Sequence, residues 1–256
     1  MLYIFSALYC ELAPFVNAFT LESIGNGVYR SDRCIATVTG VGKVNAAYSV
    51  GRTFALFAPS SKDIVLNIGV AAGENKGQTY LVNAISDADT GHDYYPDMVI
   101  NLGLPESSLT SVTKIVTSVD INMLYDMEAS SIYQAAIKHV SPDRMLFVKT
   151  VSDSDGKGVT PDKVSSLMES QIRVVSLLLN ETQDVDTENN ASKYYDVLHC
   201  SEYMRLELGQ LYHFADTLGV NPDDILDDII ASYIDVNNRK IGREVLDEFK
   251  RRLTKV

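Results

Sequence analysis

Residues 63–73 read DIVLNIGVAAG, and their reading decides the fold. Asp63 to Ile68 is a nearly continuous apolar run, as expected of a strand covered on both faces in a parallel sheet. It passes directly into Gly69, Val70, Ala71, Ala72 and Gly73, where small side chains let a ligand come close to the backbone. Upstream, Cys34 to Val38 is extended and meets the turn Gly40, Val41, Gly42. The stretch from Lys43 to Phe57 then lacks breakers except Gly51 and reads as a helix. Earlier still, Leu2 to Ala7 reads as a central strand followed by a helix through LAPFVNAF, with the strand's carboxyl end near Tyr9 to Glu11. Thr79 to Ile85 reads as another strand. Strands alternating with helices predict an α/β fold with a mostly parallel sheet, in which ligands collect at the carboxyl ends of strands.

Further along, Ser86 to Asp120 carries only a weak pattern broken by Pro96 and Pro105, and no element is assigned there. Order returns with MEASSIYQAAIKH (127–139), a helix with Met127, Ile132, Ala136 and Val140 along its apolar side. It leads to a strand from Met145 to Val151, closed by Ser152 and Asp153. A helix is expected from Thr160, with Pro161 in its first turn and Val164, Leu167, Met168, Ile172 and Val175 on one face. The stretch ETQDVDTENNAS (181–192) is charged and amide-rich, as linkers are. The expected division is therefore an α/β domain over 1–182, a linker over 183–192 and an all-α extension over 193–256. In the extension, Met204, Leu208, Leu211, Ala215 and Leu218 repeat at helical spacing, Asn221 and Pro222 start a second helix, and a third covers Ile241 to Leu253. Three helices of this length can make a small bundle, but they are expected to need a partner surface, the first domain or another subunit, to bury their stripes well.

With 34 acidic against 22 basic side chains, the chain has a formal net charge of -12, which repels nucleic acid and anionic membrane surfaces. The many acids of the extension, Asp223, Asp224, Asp227 and Asp228 among them, oppose a DNA-binding role for it. The three cysteines, Cys10, Cys34 and Cys200, have no metal-type spacing and fit a reducing cytoplasm. The apolar opening MLYIFSALYC has no basic leader and is too short to span a membrane, so it reads as a buried strand. The histidines are scattered and make no metal pair, so neither metal nor cofactor is expected.

Three acids fall near strand ends or helix starts: Glu11, Glu128 and Asp153. One carboxylate could activate water, one could hold sugar hydroxyls and a third, kept protonated by burial, could protonate a leaving group, a set that suits cleavage of a glycosidic bond. Taken singly, each has a plainer reading: a solvated acid after a strand, a helix-start charge, a strand-end turn residue.

The order of motifs over roughly the first 180 residues resembles the superfamily of purine nucleoside phosphorylases and methylthioadenosine/S-adenosylhomocysteine nucleosidases. SALYCEL (6–12) is similar to the first-strand motif whose last glutamate activates water, which places that role on Glu11. TGVGKVNAA (39–47) and LNIGVAAG (66–73) resemble the two glycine-rich backbone-approach motifs. YDMEAS (125–130) looks like the signature in which a methionine packs under the ribose and the next glutamate binds its hydroxyls, here Met127 and Glu128. VKTVSDSD (148–155) resembles the strand end that handles the purine, here Ser152 and Asp153.

The resemblance implies a three-layer αβα nucleoside phosphorylase-like domain with a central mixed sheet, acting on a small-molecule nucleoside and forming a homodimer. It implies hydrolysis of the N-glycosidic bond of an adenosine-type nucleoside such as methylthioadenosine or S-adenosylhomocysteine. Glu11 and Asp153 would be catalytic, and Met127, Glu128, Ser152, Val70, Ala71 and Tyr125 would bind substrate. There are departures: Val70 and Ala72 stand where nucleosidases usually have Ser and Gly, Asp126 stands where Glu commonly precedes the methionine, and the stretch from Asp89 to Met127 is shortened. Tyr94, Tyr95 and Tyr125 are candidates to wall the base in its place. A nucleoside-sensing protein without turnover is the alternative reading. Phosphorolysis is a third, disfavoured because segments 7–15 and 67–77 hold no Arg.

Overall fold

In a computed structural model of the chain, strand β1 (Leu2–Ser6) lies between two parallel partners, β4 (Cys34–Val38) and β5 (Ile64–Ala72). Residues 1–60, 62–155, 159–181, 191–233 and 235–254 are described. β4 continues antiparallel to β3 (Val28–Arg30) and then β2 (Glu22–Gly25). On its other edge β5 pairs in parallel with β10 (Met145–Asp153), and β10 runs antiparallel to β6 (Thr79–Asp87). β6 takes the short β7 (Asp93–Tyr94) and, in parallel, β8 (Glu106–Ser111). β8 pairs in parallel with β9 (Met123–Asp126), which returns to β5 through Ala72 and Tyr125. Strands β5, β10, β6, β8 and β9 therefore close into a ring, and the sheet is mixed, not mostly parallel as read from the alternation of elements.

Side-chain alternation in β1 builds the layers. Tyr3 and Phe5 face helix α2 (Lys43–Leu56) and helix α3 (Ala129–Ala136), packing with Phe54, Ile132 and Phe147. Leu2 and Ile4 face helices α1 (Tyr9–Ala18), α4 (Pro161–Met168) and α5 (Ile172–Glu181), packing with Leu12, Phe15, Met168 and Val175. A strand covered on both sides must be apolar on both, and each fully buried Leu, Ile or Phe contributes about 1.5–3 kcal/mol. The result is a three-layer αβα domain.

Two local expectations change. β1 ends at Ser6 and α1 already starts at Tyr9, so Glu11 stands in a helix's first turn and not at a strand's end. The single helix expected from Thr160 is two, α4 and α5, separated by a 3-10 turn. Gln171 ends that turn fully buried, its amide donating to the Gly69 carbonyl and the Thr150 hydroxyl.

Contacts divide the chain into Met1–Thr182 and Gln183–Val256. The second unit has its own core. Helices α6 (Glu202–Thr217), α7 (Pro222–Ser232) and α8 (Arg239–Leu253) bury Leu208, Tyr212, Leu226, Ile229, Leu246 and Phe249 together, so their stripes are covered within the unit. Asn221 and Asn238 cap α7 and α8 by accepting backbone N–H bonds. Of the linker read over 183–192, residues 183–190 lie outside the described residues. No helix among the described residues is long and apolar enough to cross a membrane.

Candidate active site

Parallel pairing brings the carboxyl ends of β1, β4, β5 and β10 to one edge, where a cleft of about 230 Å³ opens. Its lining includes all eight site residues read from the sequence: Glu11, Val70, Ala71, Tyr125, Met127, Glu128, Ser152 and Asp153.

Glu11 is buried and held from three sides. Its Oε2 accepts from the Ser6 hydroxyl at 2.9 Å and the Leu8 N–H at 2.8 Å, and its Oε1 accepts from the Val70 N–H at 2.9 Å. The Leu8 bond also caps α1, whose N-terminus favours a negative charge. Gly69 is where a side chain would displace Glu11, since a Cβ there would lie 2.9 Å from Glu11 Oε1. This glycine makes room for the protein's own carboxylate before it makes room for any ligand.

Glu128 sits just before α3 and accepts at 2.7 Å from the N–H of Gly42, at the start of α2. Gly42 has φ 94°, a left-handed value that suits glycine. Burial, then the neighbouring Asp126, pushes the Glu128 carboxyl up to about 7, against the pull of Lys149 and the Gly42 N–H. Asp126 accepts from the Ser111 hydroxyl at 2.6 Å and the Ala129 N–H at 2.9 Å, and pairs with Lys149 at 2.9 Å. Lys149 is 2% exposed. Burial pulls its ammonium down, but Asp126 and Glu128, with Glu11, more than offset this and hold it charged. Sequence reasoning assigned Lys149 no role. The available signal was a lone lysine inside the apolar run Met145 to Val151, which a buried strand tolerates only with a carboxylate partner.

Successive strand residues face opposite ways, yet Ser152 and Asp153 both line the cleft. The reason is a register break opposite Ala71 and Ala72, between Val151 and Asp153, a bulge that turns both side chains inward. The Ser152 hydroxyl donates to Asp153 Oδ2 at 2.7 Å, and the Asp155 N–H reaches Oδ1 at 3.2 Å.

The remaining wall is aliphatic: Val41, Val112, Ile115, Val116 and Val159. Of the three candidate tyrosines, only Tyr125 lines the cleft, its hydroxyl donating to Asp120 at 2.6 Å. Tyr94 instead packs on Tyr133, and Tyr95 is exposed. The wall segment is tied back through Thr113 to Asp89, which Lys43 at the start of α2 bridges to Asp87. Among the described residues, no group of three or more His, Cys, Asp or Glu side chains is placed to hold a metal ion.

Solved structures share this architecture. A mutant Helicobacter pylori 5′-methylthioadenosine/S-adenosylhomocysteine nucleosidase with 5′-methylthioadenosine in its active site matches with a TM-score of 0.60 at 14% identity. The match covers 70% of this chain and 98% of that one. The Neisseria meningitidis enzyme of the same name, bound to methylthio-immucillin-A, matches at 0.57 and 17% identity, over 68% and 97%. The fold is the nucleosidase fold. A mutant futalosine hydrolase of Helicobacter pylori has it too, at TM-score 0.59, 12% identity and coverage of 70% and 98%. The covered share is close to that of residues 1–182 in the 256-residue chain. No family model matches the sequence, and no curated protein matches it.

Proposed function

We propose that the cleft hydrolyses the N-glycosidic bond of an adenosine-type nucleoside such as methylthioadenosine or S-adenosylhomocysteine. The observation that carries this is the meeting of Glu11, Glu128 and Asp153, from three distant segments, around one cleft. Glu11, acceptor to two backbone N–H groups, takes a proton from the attacking water. The water oxygen bonds to C1′ as the bond from C1′ to the base breaks. Asp153, steadied by Ser152, protonates N7 of the departing adenine, so the base leaves neutral. Glu128 accepts from the ribose hydroxyls, and Met127 lies beneath the sugar. Oxocarbenium-like charge on the sugar develops among carboxylates that stabilise it. Lys149 acts as a positioning residue, fixing Asp126 behind Glu128.

Water is favoured over phosphate as nucleophile. Among the described residues no Arg lines the cleft, and the four acids that line it among them, Asp126 included, repel a phosphate dianion. Leu8, Val41, Val112 and Ile115 suit an alkylthio arm. The same reading carries a homodimer and a reducing cytoplasm, in which the free Cys10, Cys34 and Cys200 stay thiols. The test is adenine release from methylthioadenosine by wild type and by Asp153→Asn. Turnover by wild type that falls by about 100-fold or more in the variant is expected. Tight binding with no release by wild type would overturn hydrolysis in favour of a nucleoside sensor.

A further inference from the structure

The cations of the helical unit are not distributed evenly with respect to its acids. Lys193 pairs with Asp223, Arg243 and Lys250 with Glu207, Arg251 with Glu248, and Arg252 with Asp228. Among the described residues Arg205 and Arg239 pair with no carboxylate, a lack shared by the unit's other described lysines and arginines only at Lys240. Both arginines line one depression of about 380 Å³, with Tyr195, Asp196, His199 and Cys200. We propose that this depression binds a phosphate dianion, either free or carried by a small phosphomonoester.

Three elements hold the depression in shape. Arg205 lies in the first turn of α6, and its guanidinium sits 5.3 Å from the centre of the Tyr195 ring, which orients it. Arg239 opens α8, and Gly242 follows three residues later on the same side of that helix. Gly242 presses on the turn that carries His199, since a Cβ there would lie 1.8 Å from the Leu198 carbonyl oxygen. The distance from the start of α8 to the 195–200 turn is therefore fixed by backbone contact. His199 itself has φ 49°, a left-handed value that costs a non-glycine residue energy, and it lines the depression.

Planar guanidinium groups match phosphate oxygens with paired hydrogen bonds, and two of them without carboxylate partners supply the charge for a dianion. The N-termini of α7 and α8 are capped by their own asparagines, so the attraction falls to the side chains. Asp196 opposes the anion, and this gives the test two signs. A phosphorylated polyol could also use that carboxylate, which lines the same open depression, as acceptor for a hydroxyl.

The experiment is calorimetric titration of the full chain with inorganic phosphate and, separately, glycerol 3-phosphate, at low ionic strength where such pairing is strongest. Saturable binding is expected, weakened about 10-fold or more by Arg205→Gln and by Arg239→Gln, and tightened several-fold for inorganic phosphate by Asp196→Asn. Tighter binding of glycerol 3-phosphate than of phosphate assigns the site to a phosphomonoester, and equal binding to free phosphate. Misfolding cannot produce the tightening, so Asp196→Asn keeps the result readable if an arginine variant melts early. No saturable heat with either probe, or binding that the three variants leave unchanged, overturns the proposal.

Discussion

The carboxyl of Glu128 is held up at about 7 by burial and by Asp126, and this makes the domain's stability depend on pH. A raised acid pKa means that the folded state holds a proton the unfolded chain has released. The associated stability is complete below the ordinary value near 4.5 and is lost as pH rises to about 7. Glu128→Gln, which cannot ionise, should therefore melt higher than wild type at pH 8, by up to about 3 kcal/mol, with the gap mostly closed at pH 5. Equal melting differences at the two pH values would contradict this. At Gly69, Ala would put a methyl against Glu11 Oε1, the mobile end of a side chain but one pinned by three hydrogen bonds. Gly69→Ala should cost only about 1 kcal/mol of stability, because the carboxylate gives way. Turnover should fall by as much as about 100-fold, because a 1 Å displacement of a reacting group is enough. A variant with wild-type kcat would show that Glu11 is not the base.

At the scale of elements, α1 shows how one residue type creates a need that another segment meets. Pro14 inside the helix has no N–H to return to the Cys10 carbonyl, and that carbonyl accepts at 2.7 Å from the hydroxyl of Ser165 on α4. Ser165→Ala should cost about 1–2 kcal/mol in chemical unfolding, the penalty of an unmet acceptor, and no change in midpoint would contradict the tie between α1 and α4. Elements were legible where burial imposed a pattern. β5 and β10 read correctly because a strand covered on both faces has to be apolar throughout. The start of α1 did not, because its N-cap is Leu8 and the capping oxygen belongs to Glu11. β8 did not either: its sequence ESSLTS buries only Leu109 and Ser111, so no apolar run announces it. The bulge at Ser152 leaves no mark in composition, yet it is what points two adjacent side chains the same way.

Over the whole molecule, the cleft is assembled from residues 7 to 159, brought together by the parallel pairing of β1 with β4 and β5 and by the closure of the β5, β10, β6, β8, β9 ring. The order of glycine turns and acids along the chain carried the three carboxylates and their neighbours. It could not carry Lys149, whose partner Asp126 lies on another strand, nor the aliphatic wall from a segment without a clear pattern. The helical unit was legible as three helices but not as a self-contained core, because contact between stripes cannot be read from their spacing. The measurement that bears most directly on the cleft is a crystal structure of Glu11→Gln soaked with methylthioadenosine. The expected density has the ribose hydroxyls within hydrogen-bonding distance of Glu128, Met127 under the sugar and N7 facing Asp153. Density for the nucleoside elsewhere, or in the cleft with Glu128 and Asp153 on no part of it, would contradict the shared role of these acids.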